Sequence, residues 1–450
     1  MATTYYRYLL ADVLTNSILA ELSFTNVNFT QQLNAAGTFT GDLLLSGVNS
    51  AALNVLNATI PGRTAIYVDR SGVLVWGGII WGREYDSSSH HLKISAREFE
   101  SYFERRRITS NLSYTNIDQL ALVDALVEAA QSVPSGNLNI VVPITNSITT
   151  STISAASGNG TVVTYTTSAT NYFVTGQTVT IIGIQSTNNP GGVAGSGFNL
   201  TGAITTVSPT QFTITSTLND FYLYGGSATN QGVIIGSQTY YSYELKTYFN
   251  AISDLAKSNT GFDFNIKVAY DNSGTPTKTL QLGYPRLGNP YSATSTKVPT
   301  FILPAGNIVQ YNYKEDGTKV ANSVYATGAG SNEGKLISNA TDSTKTGAGW
   351  PLLEDATNYS NVTDSSLLTN FATGQVLAVS YPPQTLQIVA PPYQDPVFGT
   401  YNLGDQARVV ITDPFYPTEF DGNYRIIGLN VSPGESGPER VTLTLTTTTN

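Results

Sequence analysis

Residues 65–82 read AIYVDRSGVLVWGGIIWG, two apolar runs on either side of the polar stretch Asp69-Arg70-Ser71-Gly72. A Gly-containing polar turn between runs rich in Val, Ile, Tyr and Trp predicts a β-hairpin, with strands at 65–68 and 73–81. Within the second run, Gly77-Gly78 predicts a bend or bulge, the kink that a closing barrel needs. Outward from this hairpin, residues 5–81 alternate apolar and polar positions in short runs. Ala20, Leu22 and Phe24 form one such run and Phe39, Leu43 and Leu45 another, with breaks at Gly37, Gly41 and Pro61-Gly62. This is the pattern of a strand meander.

A further strand is expected at 92–95, running into a helix-like segment, AREFESYFERRR (96–107). A second helix is expected from an N-cap at Asn116 to Gln131, with Leu120, Val123, Val127 and Ala130 on one face and Pro134-Ser135-Gly136 as its stop. A third, 243–257, places Leu245, Phe249, Ile252 and Ala256 together. Between Glu128 and Asp220, residues 129–219 contain no Asp, Glu, Lys, Arg or His, yet they keep strand alternation around turn signals. A flexible linker would not repeat Val, Ile and Phe in that way, so a small inserted β-module at 150–235 is expected. Strands return from about 307, with a long excursion, 347–368, that holds a short helix after Asp364.

The chain has 450 residues and a mass of 48.0 kDa, enough for two to four domains. Charged residues make up only 12%, and there is no cysteine, which removes disulfides and thiolate chemistry. The longest nearly apolar run, 73–81, is far short of the roughly 20 residues that span a bilayer. The first residues, MATTYYRYLLADVL, lack the charged and apolar regions of a secretory signal. The net charge of −9 argues against sequence-specific nucleic-acid binding. The one basic cluster, Arg105-Arg106-Arg107, is expected to pair with Glu98, Glu100 and Glu104 on a solvated helix face.

Catalytic chemistry is sparsely supplied. The only histidines, His90 and His91, follow Asp86-Ser87-Ser88-Ser89, a string that reads as a hairpin turn rather than a Ser-His-Asp site. Adjacent histidines on a strand face opposite ways, and no Glu-x-x-His or His-x-x-x-His spacing exists. GAGSNEG at 328–334 lacks the spacing and the Lys-Ser/Thr of a phosphate loop. Carboxylate pairs for wall hydrolysis could come from Glu98, Glu100 and Glu104 or from Asp413 and Asp421, and their separation in space decides that chemistry. The expected catalytic, cofactor and metal sites are therefore none. Tyrosines such as Tyr5, Tyr6 and Tyr8, or Tyr222, Tyr224, Tyr240, Tyr241 and Tyr243, suit either burial at subunit interfaces or sugar binding.

The string Tyr67 to Trp81, followed by ISAREFESYFERRRI (94–108), resembles the tail-hub or minor tail protein family of siphophages, in particular those of phages infecting actinobacteria. GFDFNI (261–266), LQLGYPRLG (280–288), NIVQYNYKEDGTKVANSVYATGAG (307–330), YNLGDQARVVI (401–411) and YRIIGLNV (424–431) continue the likeness in order, over 1–145 and 240–450. The resemblance implies a mainly β fold with a few helices (α+β). Two tube-type β-barrel domains, 1–110 and 306–450, would flank a peripheral α+β domain, 111–149 with 236–305, that carries the 150–235 module. It implies a homotrimeric ring at the tail tip of the virion, assembled in the host cytoplasm. The ring's partners would be a distal tail protein, a tape measure protein and tail fibre components, and genome DNA would pass through the lumen without specific binding. The excess acid of the C-terminal part, with Asp405 and Asp413 foremost, is expected to line that lumen. A carbohydrate-binding adhesin is the alternative, and a peptidoglycan hydrolase the third.

Overall fold

A computed structural model describes residues 4–447 apart from 46–49, 170, 172, 174–176, 209, 290–297, 383 and 435–437. The protein is mainly β, with a few helices. Its centre is a 13-stranded sheet. From the N-terminal part come β1 (Tyr6–Asp12), β2 (Ile18–Leu22), β3 (Thr25–Gln32), β4 (Thr38–Leu44), β5 (Thr64–Arg70), β6 (Val73–Asp86) and β7 (His91–Glu98), in the order β2-β1-β5-β6-β7-β4-β3. Strand β3 then pairs with Phe420–Ser432, and Arg440–Thr447, Gln384–Ala390 and Gln310–Glu315 follow. Gln406–Ile411 pairs with Phe420–Ser432 and with Thr300–Leu303.

The segments expected as two barrels thus share one sheet. Residues Phe29–Gln32 run antiparallel to Gly428–Val431, and a single core containing Phe29, Phe39, Trp76, Leu386, Ile426 and Leu443 lies beneath both halves. Each half begins and ends on strands adjacent in the chain, β2 with β3 and 300–303 with 310–315. The one closed barrel among the described residues belongs to the insert.

The hairpin at the centre explains why the stretch 65–82 is so apolar. Its loop is only Ser71-Gly72, both at positive φ (52° and 91°), with Arg70 opposite Val73. This is the two-residue geometry whose twist matches the flanking strands. The Asp69 carboxylate fixes it by accepting from Gly72 N at 2.7 Å. Both faces of the strands are covered: Ile66, Val68, Trp76 and Ile80 enter the core just named, whereas Ala65, Tyr67, Leu74 and Ile79 enter a second one. Burial on both faces replaces alternation by a continuous apolar run.

The predicted bulge at Gly77-Gly78 is displaced to either side. Ladder register shifts leave Val75 and Trp81 as the extra residues. The glycines are there for close approach, since a Cβ on Gly78 would stand 2.2 Å from the Arg97 carbonyl oxygen.

The second core holds the peripheral part. It joins the helices Gln119–Gln131 and Tyr248–Ala256 to the strands Asp263–Tyr270 and Pro276–Gly283. It also takes in the helix Ser365–Val379 through Leu367, Leu368, Phe371 and Ala372. The excursion of the C-terminal segment therefore packs on the peripheral core, and its helix is longer than the sequence suggested. A helix the sequence did not suggest, Ser50–Ala58, interrupts the expected meander, and the three other predicted helices are shorter than expected. Asn116 lies in a strand at φ 48°, and Asp118 caps the 119–131 helix by accepting from Leu120 N. Thr247 caps the next, leaving Tyr243 in a separate 3-10 turn, and the 96–107 segment is helical only at Glu100–Arg105. Side-chain oxygens set those starts where apolar periodicity alone could not.

Candidate functional site

Where the 13-stranded sheet meets the peripheral core, acidic side chains converge from distant parts of the chain. Strand β7 ends at Glu98, and the short helix begins at Glu100. Their carboxyls are buried, at 5% and 2% exposure, so the solvated face expected there does not exist. Glu98 Oε2 accepts from Gly37 N at 2.7 Å, and Glu100 Oε1 accepts from the backbone N of Ile266. Glu100 Oε2 is buried without a hydrogen-bond donor. Burial, reinforced by the charge of Glu100, pushes the Glu98 carboxyl well above the usual range. Burial likewise pushes Glu100 up to about 7. Nearby, Lys278 Nζ donates to Leu138 O at 2.8 Å over the Phe99 ring, and burial lowers it to about 8.

A partly buried ion pair crosses the same joint. Arg425, on the 420–432 strand, donates from Nη2 to Asp263 Oδ2 and to Leu287 O and from Nε to Gly404 O. Asp263 also accepts from Asn34 Nδ2 at 2.9 Å and from Leu287 N at 2.9 Å. Backbone, amide and guanidinium donors thus meet the aspartate from three separate segments, an arrangement that fixes orientation rather than presenting a carboxylate to a substrate.

The remaining acidic and basic candidates are engaged locally. Glu104, instead of pairing with Arg105, Arg106 or Arg107, is bidentate with Arg97, at 2.5 and 2.8 Å. The three arginines take other partners than the expected glutamates. Arg105 lies over the Trp81 ring, Arg106 donates to Ala130 O near the end of the 119–131 helix, and Arg107 donates to Leu245 O. Asp421 pairs with Arg408, while Asp413 accepts from Tyr311 OH, Phe415 N and Tyr416 N. Asp405 is 1% exposed and accepts from Asn289 N and Asn402 N, so it cannot line an open channel.

The Asp86 turn is as read, with Ser88 N and the Ser88 and Ser89 hydroxyls donating to its carboxylate. His90 sits in that turn, its Nδ1 2.8 Å from Tyr85 OH, and His91 opens β7. Among the described residues no three His, Asp or Glu side chains cluster to hold a metal, and no helix is long and apolar enough to cross a membrane.

The insert forms a six-stranded closed barrel, in the order 150–158, 162–167, 211–215, 201–208, 178–182 and 227–230. Val163, Tyr165, Phe198 and Phe212 fill it. Its two ends are clamped at one point. Asp118 accepts from Ser147 N and Ser147 Oγ, Ser147 Oγ accepts from Val233 N, and Asn230 joins Ser147 O to Thr149 N. Phe221, Leu223 and Tyr224 stand exposed, at 74%, 52% and 60%, on or beside a separate two-stranded sheet of the insert, Gln185–Ser186 with Tyr222–Tyr224. Of the tyrosines singled out by sequence, Tyr8 and Tyr240 are buried, and Tyr241 stacks on the exposed Tyr243 at 5.3 Å.

No protein-family model matches the chain, and no curated protein matches it. Solved structures do. The tail protein from Neisseria meningitidis is 12% identical, with a TM-score of 0.51 over 98% of this chain and 96% of that one. Looser overlaps are a 43 kDa tail protein of prophage MuSo2 from Shewanella oneidensis (12% identity, 98% of each chain, TM-score 0.47) and a prophage tail protein from Listeria monocytogenes (10% identity, 97% and 94%, TM-score 0.44). Nothing in these matches bears on actinobacteria. From end to end, the chain has the fold of a tail protein.

Proposed function

We propose that the protein is a structural, non-enzymatic hub of a phage tail tip. Three copies form a ring in the virion that continues the tail tube, with residues 1–110 and 306–450, apart from the 365–379 helix, as its wall and 111–149 with 236–305 and that helix as the periphery. The 150–235 module points outward. Distal tail, tape measure and fibre proteins are its neighbours, and genome DNA passes through the opening. The observation that carries this reading is the likeness of fold to the Neisseria tail protein over 98% of the chain. Fold likeness does not itself fix a role, and burial of the Glu98 and Glu100 carboxyls is the site-level support, because carboxyls held inside a joint offer no route to a glycan. Electron microscopy of the purified protein tests it: threefold particles with a central opening are expected, and a monodisperse population without symmetry would refute it.

A carbohydrate-binding adhesin is the second reading. Exposed Phe221 and Tyr224 on an insert without a Lys or Arg favour it, since aromatic faces and uncharged polar groups suit neutral sugars. Glycan-array binding that is lost in the Phe221→Ala, Tyr224→Ala variant would establish this role, and an array without signal would remove it.

A further inference from the structure

On its solvent side the 13-stranded sheet carries a row of polar side chains without charge. Ser95 stands opposite Thr40, Thr40 opposite Asn28, and Asn430 opposite both Thr30 and Thr442. Thr444 then faces Gln387, which faces Asn312. Their chain neighbours Phe39, Ile94, Val431, Leu443 and Ile388 point the other way, into the core. At the seam between the two halves, Asn28 Nδ2 donates to Asn430 Oδ1 at 2.7 Å and to Ser432 Oγ at 2.9 Å. The row therefore continues from one half to the other.

Charges occur only at its margins. Asp42 stands opposite Lys93, and Arg440 opposite Ser432, on one side, and on the other Arg97, Arg425, Lys314 and Arg408 are matched by Glu104, Asp263, Asp316 and Asp421. An open face of an antiparallel sheet ordinarily mixes charged residues among its polar ones, and the chain has 22 basic and 31 acidic residues to place. Lysines or arginines here would bind a polyanion through counterion release, and exposed apolar side chains would make the face adhesive. Hydroxyls and amides bind water and do neither.

We infer that this uncharged face lines the bore of the ring and is the surface past which duplex nucleic acid moves. The inference rests on the ring proposed above, and it replaces the acidic lining expected from Asp405 and Asp413 with a neutral one.

Because the chain has no cysteine, single thiols report position directly. Thr444→Cys, with Gln387→Cys as a second site on the same row, would be coupled to a maleimide gold cluster and imaged in the assembled particle. Ser273→Cys, in an exposed turn of the peripheral part, is the control. Gold on the symmetry axis for both face variants, and off the axis for the control, is the expected result. Gold at the periphery for the face variants overturns the inference and leaves the ring intact. A face that labels in dissociated chains but not in the particle is a contact between copies, which also overturns it. Particles without symmetry remove the ring and the inference together. In the same preparation the wild type should not retain duplex DNA, whereas Thr442→Lys, Thr444→Lys should retain it and lose it as salt is raised. Salt-sensitive retention by the wild type would contradict a non-adhesive bore.

Discussion

The insert barrel and the joint between sheet and peripheral core are built on opposite electrostatic plans. The barrel holds its strands with its own apolar core and touches its host at a small clamp of hydrogen bonds around one carboxylate, Asp118, and where Gln177 Nε2 donates to Tyr284 OH. The joint instead buries Glu98, Glu100, Asp263 and Lys278 and ties them to partners far away in sequence, such as Gly37 for Glu98, 61 residues away, and Arg425 for Asp263, 162 residues away. A module that needs only to be carried can be neutral and self-contained. A joint that must keep two cores in one orientation uses directional contacts whose loss is costly.

The largest effect is expected at the joint. Arg425→Ala leaves Asp263 buried without its cation, which costs about 3–5 kcal/mol. Urea unfolding followed by tryptophan fluorescence reads this directly, since the three tryptophans (Trp76, Trp81 and Trp350) all lie outside the insert. A loss below about 1 kcal/mol would mean that the pair does not secure the joint.

Next in size is the dependence on pH. Folded Glu100 titrates at about 7 against an ordinary 4.5, so it keeps its proton where the unfolded chain has lost it. Its stabilising contribution is complete below about 4.5, declines as pH rises toward 7, and is flat beyond. Glu98 is shifted in the same direction. Glu100→Gln, which still accepts from Ile266 N, should flatten that decline, and an unchanged slope would contradict the assignment.

Much of this contrast was legible in the sequence. Absence of charge over 129–219 marked the barrel, and the apolar run 65–82 marked the centre of the main sheet. The joint was not legible. Glu98, Glu100 and Glu104 are spaced like a solvated helix face, and only the arrival of the Gly37 and Ile266 amides from elsewhere makes two of them internal. Nor could local pattern show that β3 pairs with a strand 400 residues away, or that the 365–379 helix leaves its own segment to complete the peripheral core.

The smallest effect is expected at the barrel. Joining Thr149 to Asn230, which already bond through Asn230 N and Thr149 O at 3.1 Å, through a short Gly/Ser linker keeps the Asp118 clamp whole. The remaining chain should unfold within about 1 kcal/mol of the parent, because a loop of any moderate length closes at similar entropic cost. An insoluble product would show that the barrel is integral to the fold.

The assembly itself is decided most directly by native mass spectrometry of the intact, unmodified chain. Three copies of 48.0 kDa give a single species at three times that mass. A species at 48.0 kDa that persists up to the solubility limit would contradict the ring on which the proposed function depends.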